Sequence, residues 1–123
     1  MKIRTLWLSA ALLSSACAGD DEAPADTNAT SCTATIDLLD YKLEPKDIEA
    51  KSGKITLCAV NQGETSHDLG VRDADKKTLG KTMTLAPGAQ DRFTVELSAA
   101  TYDIYCSLAG HESLGMKGTL AVK

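Results

Sequence analysis

Eleven residues near the C-terminus hold most of the chemistry in this chain. The stretch Cys106-Ser-Leu-Ala-Gly110-His111-Glu-Ser-Leu-Gly115-Met116 supplies a thiol, an imidazole and a thioether, with glycines that keep the loop compact. His67, the other of the two histidines, lies on a separate segment. A cysteine, two histidines and a weak axial methionine are the ligand set of a type 1 copper centre used for electron transfer. Thiolate and thioether favour Cu(I), whereas imidazole serves both oxidation states. A site held between the two preferred geometries changes little when an electron moves. Each residue also has an ordinary reading. A lone histidine or methionine is usually surface or core. Cys106 as a nucleophile would need a base and an orienting partner, and methionine is a poor zinc ligand.

The same counts limit what else is possible. Two histidines in 123 residues leave too few imidazoles for a dinuclear site, a three-histidine zinc site or a multi-copper cluster. A triad hydrolase survives on the count alone. The net charge of −4 argues against a basic nucleic-acid footprint. Beyond the N-terminal segment the aromatics are Tyr41, Phe93, Tyr102 and Tyr105, too few for a flavin or single-stranded nucleic-acid platform.

Short strands must position the ligands. Candidates fall at 33–39, 47–51, 54–60, 67–72, 81–85, 91–97, 101–106 and 117–122, with turn signals at Ser52-Gly53, Asn61-Gln62-Gly63 and Pro87-Gly88. A helical turn is expected near Asp73–Leu79. The spacing argues for an antiparallel sandwich or barrel. Alternation places Tyr102, Ile104 and Cys106 on one face and Asp103 and Tyr105 on the other. It also places His67 with Leu69 and Val71, so Cys106 and His67 both aim inward. Met83 reads as core, and Glu64, Asp68, Asp73 and Asp75 read as scattered solvated charge.

The N-terminus reads as an address. Lys2 and Arg4 precede a short apolar run and the small residues Ser14-Ser15-Ala16, the pattern of a signal peptide over 1–16. Leu13-Ser14-Ser15-Ala16-Cys17 resembles a bacterial lipobox, with lipidation at Cys17, although Ser14 stands where the lipobox prefers Leu. Ala16-Cys17-Ala18 is the rival, an ordinary cleavage site that would leave a soluble protein. Residues 17–31 then form an acidic, disordered tether, and 32–123 form the domain. Either cut removes Cys17 from disulfide chemistry. With Cys106 committed to a metal, Cys32 and Cys58 remain as a candidate disulfide in an oxidising compartment. Parity sets Cys32 with Ala34 and Ile36 facing inward and Cys58 facing outward. A bulge, or a Cys32 that precedes the strand, would reconcile them.

The chain resembles a cupredoxin, a blue copper protein of the plastocyanin and azurin superfamily, over nearly all of 32–123. Tyr102-Asp-Ile-Tyr-Cys106, the Cys-x4-His-x4-Met spacing, Asn61 through Val71, and Gly115-Met-Lys-Gly-Thr-Leu120 carry the resemblance. It implies an all-β Greek-key β-sandwich of about eight strands and one mononuclear type 1 copper held by His67, Cys106, His111 and Met116. It also implies electron exchange at His111, beside an apolar rim of Leu108, Ala109, Leu114 and Gly115. Tyr105, pointing outward beside the cysteine, is a second candidate point of electron exchange. Two residues depart from the family pattern. Asp68 replaces the Asn that commonly follows the first histidine, and Ala109 replaces a Pro before Gly-His.

The expected function is one-electron transfer outside the cytoplasm, in the periplasm or cell envelope, by a lipid-anchored monomer. Its partner would be a redox protein such as a c-type cytochrome or a membrane oxidase or reductase. No enzymatic activity and no nucleic acid are expected. The alternative is a copper carrier or sensor that delivers metal without electron exchange. A copper nitrite reductase would need further histidines for a second copper.

Overall fold

Period-two alternation builds the strands, and the computed structural model describes them within residues 31–123. The signal segment, Cys17 and nearly all of the tether lie outside the described residues. Nine strands follow in chain order: β1 (Ala34–Leu39), β2 (Lys42–Glu44), β3 (Asp47–Ala50), β4 (Gly53–Asn61), β5 (Gly70–Arg72), β6 (Thr78–Lys81), β7 (Gln90–Leu97), β8 (Ala100–Tyr105) and β9 (Lys117–Val122). They form two sheets, one ordered β2-β1-β4-β7 and the other β3-β9-β8-β5-β6. The chain changes sheet between β2 and β3, β3 and β4, β4 and β5, β6 and β7, and β7 and β8. The architecture is an all-β sandwich, as the sequence implies.

Residues of one parity meet in the middle. Ile36, Leu38, Ile55, Leu57 and Ala59 face Leu69, Val71, Ile104 and Leu120, and all are buried in one core with Cys106 and Met116. Removing so much apolar surface from water is the main stabilising term for the sandwich. Arg92 and Glu96 of β7 point outward, and Phe93, Val95 and Leu97 turn toward the core.

Several expectations need correction. The pairing is not antiparallel throughout: β1 with β4 and β3 with β9 are parallel. Such pairs arise where the intervening chain crosses to the other sheet. β2 has three residues, too few for a periodic signal. The strand expected at 81–85 ends at Lys81, because the Thr82 side chain takes over the ladder. Its Oγ1 accepts from the Leu69 N–H at 3.1 Å and donates to the Met83 carbonyl at 2.7 Å. Met83 is consequently 67% exposed and not core.

No helical turn forms over 73–79. Asp73 Oδ1 accepts the N–H groups of Asp75 and Lys77, both at 2.9 Å, and this side-chain bonding displaces a helix. The one short 3-10 helix among the described residues, Glu112–Leu114, lies in the loop between Cys106 and Met116. Cys32 and Cys58 are joined, with Cα atoms 5.7 Å apart. Cys32 lies just before β1, where strand parity no longer applies.

Candidate metal centre

Two chain segments converge at one end of the sandwich. The first runs from β4 to His67. Asn61, 1% exposed, shapes it: its Nδ2 donates to the Thr65 and Leu85 carbonyls, and its Oδ1 accepts from the Gly63 N–H. His67 then pairs with Leu85 in an isolated bridge, with backbone bonds of 3.1 and 2.8 Å. The second segment is the loop from Cys106 to Met116. The Cys106 N–H donates to the Met116 carbonyl at 3.1 Å, and the Met116 N–H donates to the His111 carbonyl at 3.2 Å. These bonds close the loop on itself and fix the spacing of its three side chains.

The convergence brings His67 Nδ1 within 3.2 Å of His111 Nδ1, and His111 Nδ1 within 3.6 Å of Cys106 Sγ. One ligand atom from each of His67, Cys106 and His111 lies within 4.8 Å of the others. His67 and Cys106 are buried and His111 is partly exposed. Met116 is fully buried in the core cluster that includes Cys106. A thiol and two imidazoles at this separation can close on one ion, and this soft and borderline donor set suits a single copper.

Asp68 turns out to be anything but solvated. It is 1% exposed, and its Oδ1 accepts the Ser107 N–H at 2.6 Å while its Oδ2 accepts the Ser107 hydroxyl at 2.5 Å. The carboxylate thus ties the His67 segment to the residue after Cys106. Lys81 Nζ lies 3.8 Å from Oδ2 and offsets part of the buried charge. Burial pushes the Cys106 thiol up from its ordinary range, and the nearby Asp68 carboxylate adds to that push, although backbone N–H groups oppose it.

Three contributors were invisible as sequence. Asp40, after β1, places Oδ1 2.6 Å from His67 Nε2. Its carboxyl is held down to about 2, first by the Glu64 N–H and then by bonds to His67 and Thr65. Tyr41 lies edge-on to both histidine rings, with centroids 5.8 Å from His67 and 4.9 Å from His111. Arg72, on β5, bonds Glu112 in the ligand loop and Asp103 on β8. No local spacing announces any of them, since each meets its partner across a long stretch of chain.

The same arginine changes the reading of Tyr105. The ring points away from the core, as alternation requires, but it is only 7% exposed. The Arg72 guanidinium lies 4.2 Å over its centroid, and the Tyr105 hydroxyl is hydrogen-bonded to Thr78. Around His111, Leu114 is 64% exposed and Ala109 and Gly115 are exposed, whereas Leu108 is partly buried.

Comparison with known proteins follows from this geometry. The family described as cupredoxin-like domain matches residues 4–122. No curated protein matches the chain by sequence. Among solved structures, the dithionite-reduced auracyanin of Roseiflexus castenholzii is 20% identical, with a TM-score of 0.69 over 76% of this chain and 98% of that one. Auracyanin A of Chloroflexus aurantiacus, a "blue" copper protein, is 15% identical, with a TM-score of 0.64 over 76% of this chain and 100% of its own. A purple cupredoxin from Nitrosopumilus maritimus is 24% identical, with a TM-score of 0.56 over 73% and 99%. At these identities the likeness is one of fold.

Proposed function

We propose that this chain, which belongs to the cupredoxin-like domain family, carries single electrons through one type 1 copper between redox partners outside the cytoplasm. The observation that carries the reading is the closure of His67, Cys106 and His111 to within 4.8 Å from two distant segments. Copper, when bound, supplies the one-electron couple. His67, Cys106, His111 and Met116 are the residues proposed to hold it. The cysteine sulfur would give the most covalent path, and the Met116 thioether would tune the potential as a weaker donor.

The surroundings support this assignment. His67 and Cys106 are buried, which excludes water from the donors. His111 alone among the three reaches the surface, which favours its imidazole edge as the place where electrons enter and leave. Leu114 and Ala109 beside it offer an apolar contact for a transient partner. Tyr105 is the weaker route, because Arg72 covers it.

The partner is read as a redox protein such as a c-type cytochrome or a membrane oxidase or reductase, and the carrier as a monomer. The Cys32–Cys58 bridge supports an oxidising compartment, such as the periplasm or cell envelope. Anchoring through a lipid on Cys17 completes the reading, and mass spectrometry of the native N-terminus tests it, since a free Gly19 end would overturn it.

Adding Cu(II) to the purified protein tests the main proposal. An intense blue thiolate-to-copper band is expected, absent in Cys106→Ser, together with rapid oxidation of a reduced cytochrome. A colourless copper-loaded protein would overturn the type 1 assignment. Transfer of copper to an apo acceptor without electron exchange would establish the carrier instead.

A further inference from the structure

We infer that Asp40 is a positioning residue for the metal centre: it accepts a hydrogen bond from the Nε2–H of His67 and so leaves the Nδ1 lone pair facing Cys106 and His111. The inference rests on the copper reading above, but its central observable does not need copper.

His67 is fully buried, and its two ring nitrogens face different surroundings. Nε2 lies 2.6 Å from Asp40 Oδ1, and Nδ1 lies 3.2 Å from His111 Nδ1. An ionised carboxylate can only accept, and a neutral imidazole carries one proton. The Nε2 nitrogen must therefore be the protonated one, and Nδ1 is left bare as a ligand atom. Thr65 Oγ1 also approaches Nε2, at 3.4 Å, but donates its own proton to Asp40 Oδ1 at 2.9 Å and does not compete.

The carboxylate is itself held in place. Asp40 Oδ2 accepts the Glu64 N–H at 2.9 Å, and Oδ1 accepts the Thr65 N–H at 3.4 Å. The loop leading to His67 thus wraps the group that orients His67.

Gly63 supplies an independent sign of the same device. A Cβ at residue 63 would run into Asp40 Oδ1 and lie 2.9 Å from His67 Nε2. Residue 63 does not have a positive φ. The need for glycine there is the closeness of the Asp40–His67 pair, not backbone freedom. Tyr41, the next residue after Asp40, adds its edge against both imidazoles.

A carboxylate partner makes an imidazole a stronger donor. The stronger donor favours Cu(II) over Cu(I), because the more highly charged ion gains more from it. Asp40→Asn keeps an oxygen that can accept from Nε2 but removes the charge. Asp40→Ala removes both. Gly63→Ala leaves both partners in the chain and pushes them apart.

The test is nitrogen-15 NMR of the histidines in the copper-free protein, followed by Cu(II) competition titrations and voltammetry of the loaded forms. The wild type and Asp40→Asn are expected to hold His67 in the Nε2–H form. Asp40→Ala and Gly63→Ala are expected to show mixed tautomers. Cu(II) affinity is expected to fall about ten- to hundredfold in Asp40→Ala, and the reduction potential to rise in Asp40→Asn. An Nδ1–H form in the wild type, or an unchanged tautomer in folded Asp40→Ala, would overturn the inference. So would unchanged Cu(II) affinity in Asp40→Ala. If the wild type bound no copper, the proposed function would fail, and the tautomers would still decide whether Asp40 orients His67.

Discussion

Arg72 on β5 holds Glu112 in the ligand loop through two parallel hydrogen bonds, Nη1 to Oε1 at 3.1 Å and Nη2 to Oε2 at 2.5 Å. Glu112 is the residue after His111, so the fork restrains the backbone beside one candidate ligand. The same guanidinium reaches Asp103 through Nε at 3.1 Å and covers the Tyr105 ring. One side chain thereby joins β5, β8 and the loop. It braces the loop that carries His111 from outside the loop itself.

Replacing the fork weakens the loop first. Arg72→Lys keeps the charge but cannot make the planar two-point contact. It is expected to cost about 1–2 kcal/mol, with faster hydrogen exchange over 106–116 than elsewhere. Equal protection of that loop in the variant would show that the fork contributes nothing local. Acid acts in the same direction. Arg72 holds the Glu112 carboxyl below its ordinary range, so this contribution is present above that range and is lost as pH falls through the lowered value. A thermal melt series from neutral to acid pH checks the sign, with the slope reduced in Glu112→Gln.

Copper uptake depends on pH through Cys106. Burial raises its pKa, so the thiol stays protonated through neutral pH in the copper-free protein. Binding expels that proton. Apparent Cu affinity is expected to rise about tenfold per pH unit for that proton, levelling off only above the raised thiol value. Competition titrations at several pH values measure the slope, and a flat profile would mean a thiolate already formed. Without metal the sign reverses. Stability from the neutral thiol is present below the ordinary cysteine range and is lost as pH rises through the raised value.

The disulfide is expected to stabilise the domain without touching the copper chemistry. Cys32 and Cys58 are 26 residues apart, and closing such a loop in the unfolded chain is worth about 3.5 kcal/mol on the chain-entropy relation. A Cys32→Ala, Cys58→Ala variant should unfold at lower denaturant concentration yet keep the same visible spectrum. A changed spectrum would tie the bridge to the metal centre.

Met116→Leu separates ligation from packing. The swap nearly conserves volume and should cost less than about 1.5 kcal/mol in a core position. If the thioether donates to Cu(II), losing it raises the reduction potential while the blue band persists. An unchanged potential would return Met116 to a purely structural role.

Local spacing was enough to single out the candidate ligand loop. Cys106, His111 and Met116 lie within eleven residues, so their chemistry can be recognised without a fold. Alternation was enough to aim His67 and Cys106 inward, and both are at most 1% exposed. Short alternating strands and their turns were enough for an all-β class with sandwich or barrel left open, and the family resemblance pointed to the sandwich. Alternation also set Tyr105 outward, but it could not see that Arg72, from another strand, covers the ring.

The remainder is long-range, and only the tertiary structure decides it. Asp40 reaches His67 across 27 residues, Arg72 reaches Glu112 across 40, and Asp68 reaches Ser107 across 39. Each is a charged side chain whose type suggests solvent. Each instead finds fixed donors or acceptors once the sheets close, because a polar group taken from water must be paired. Sequence determines which atoms could bind a metal, since donor type and near spacing are written along the chain. The fold determines which proton sits where, which charge is buried and which edge meets a partner, since those depend on distances that exist only when β1, β4, β5 and β8 are assembled.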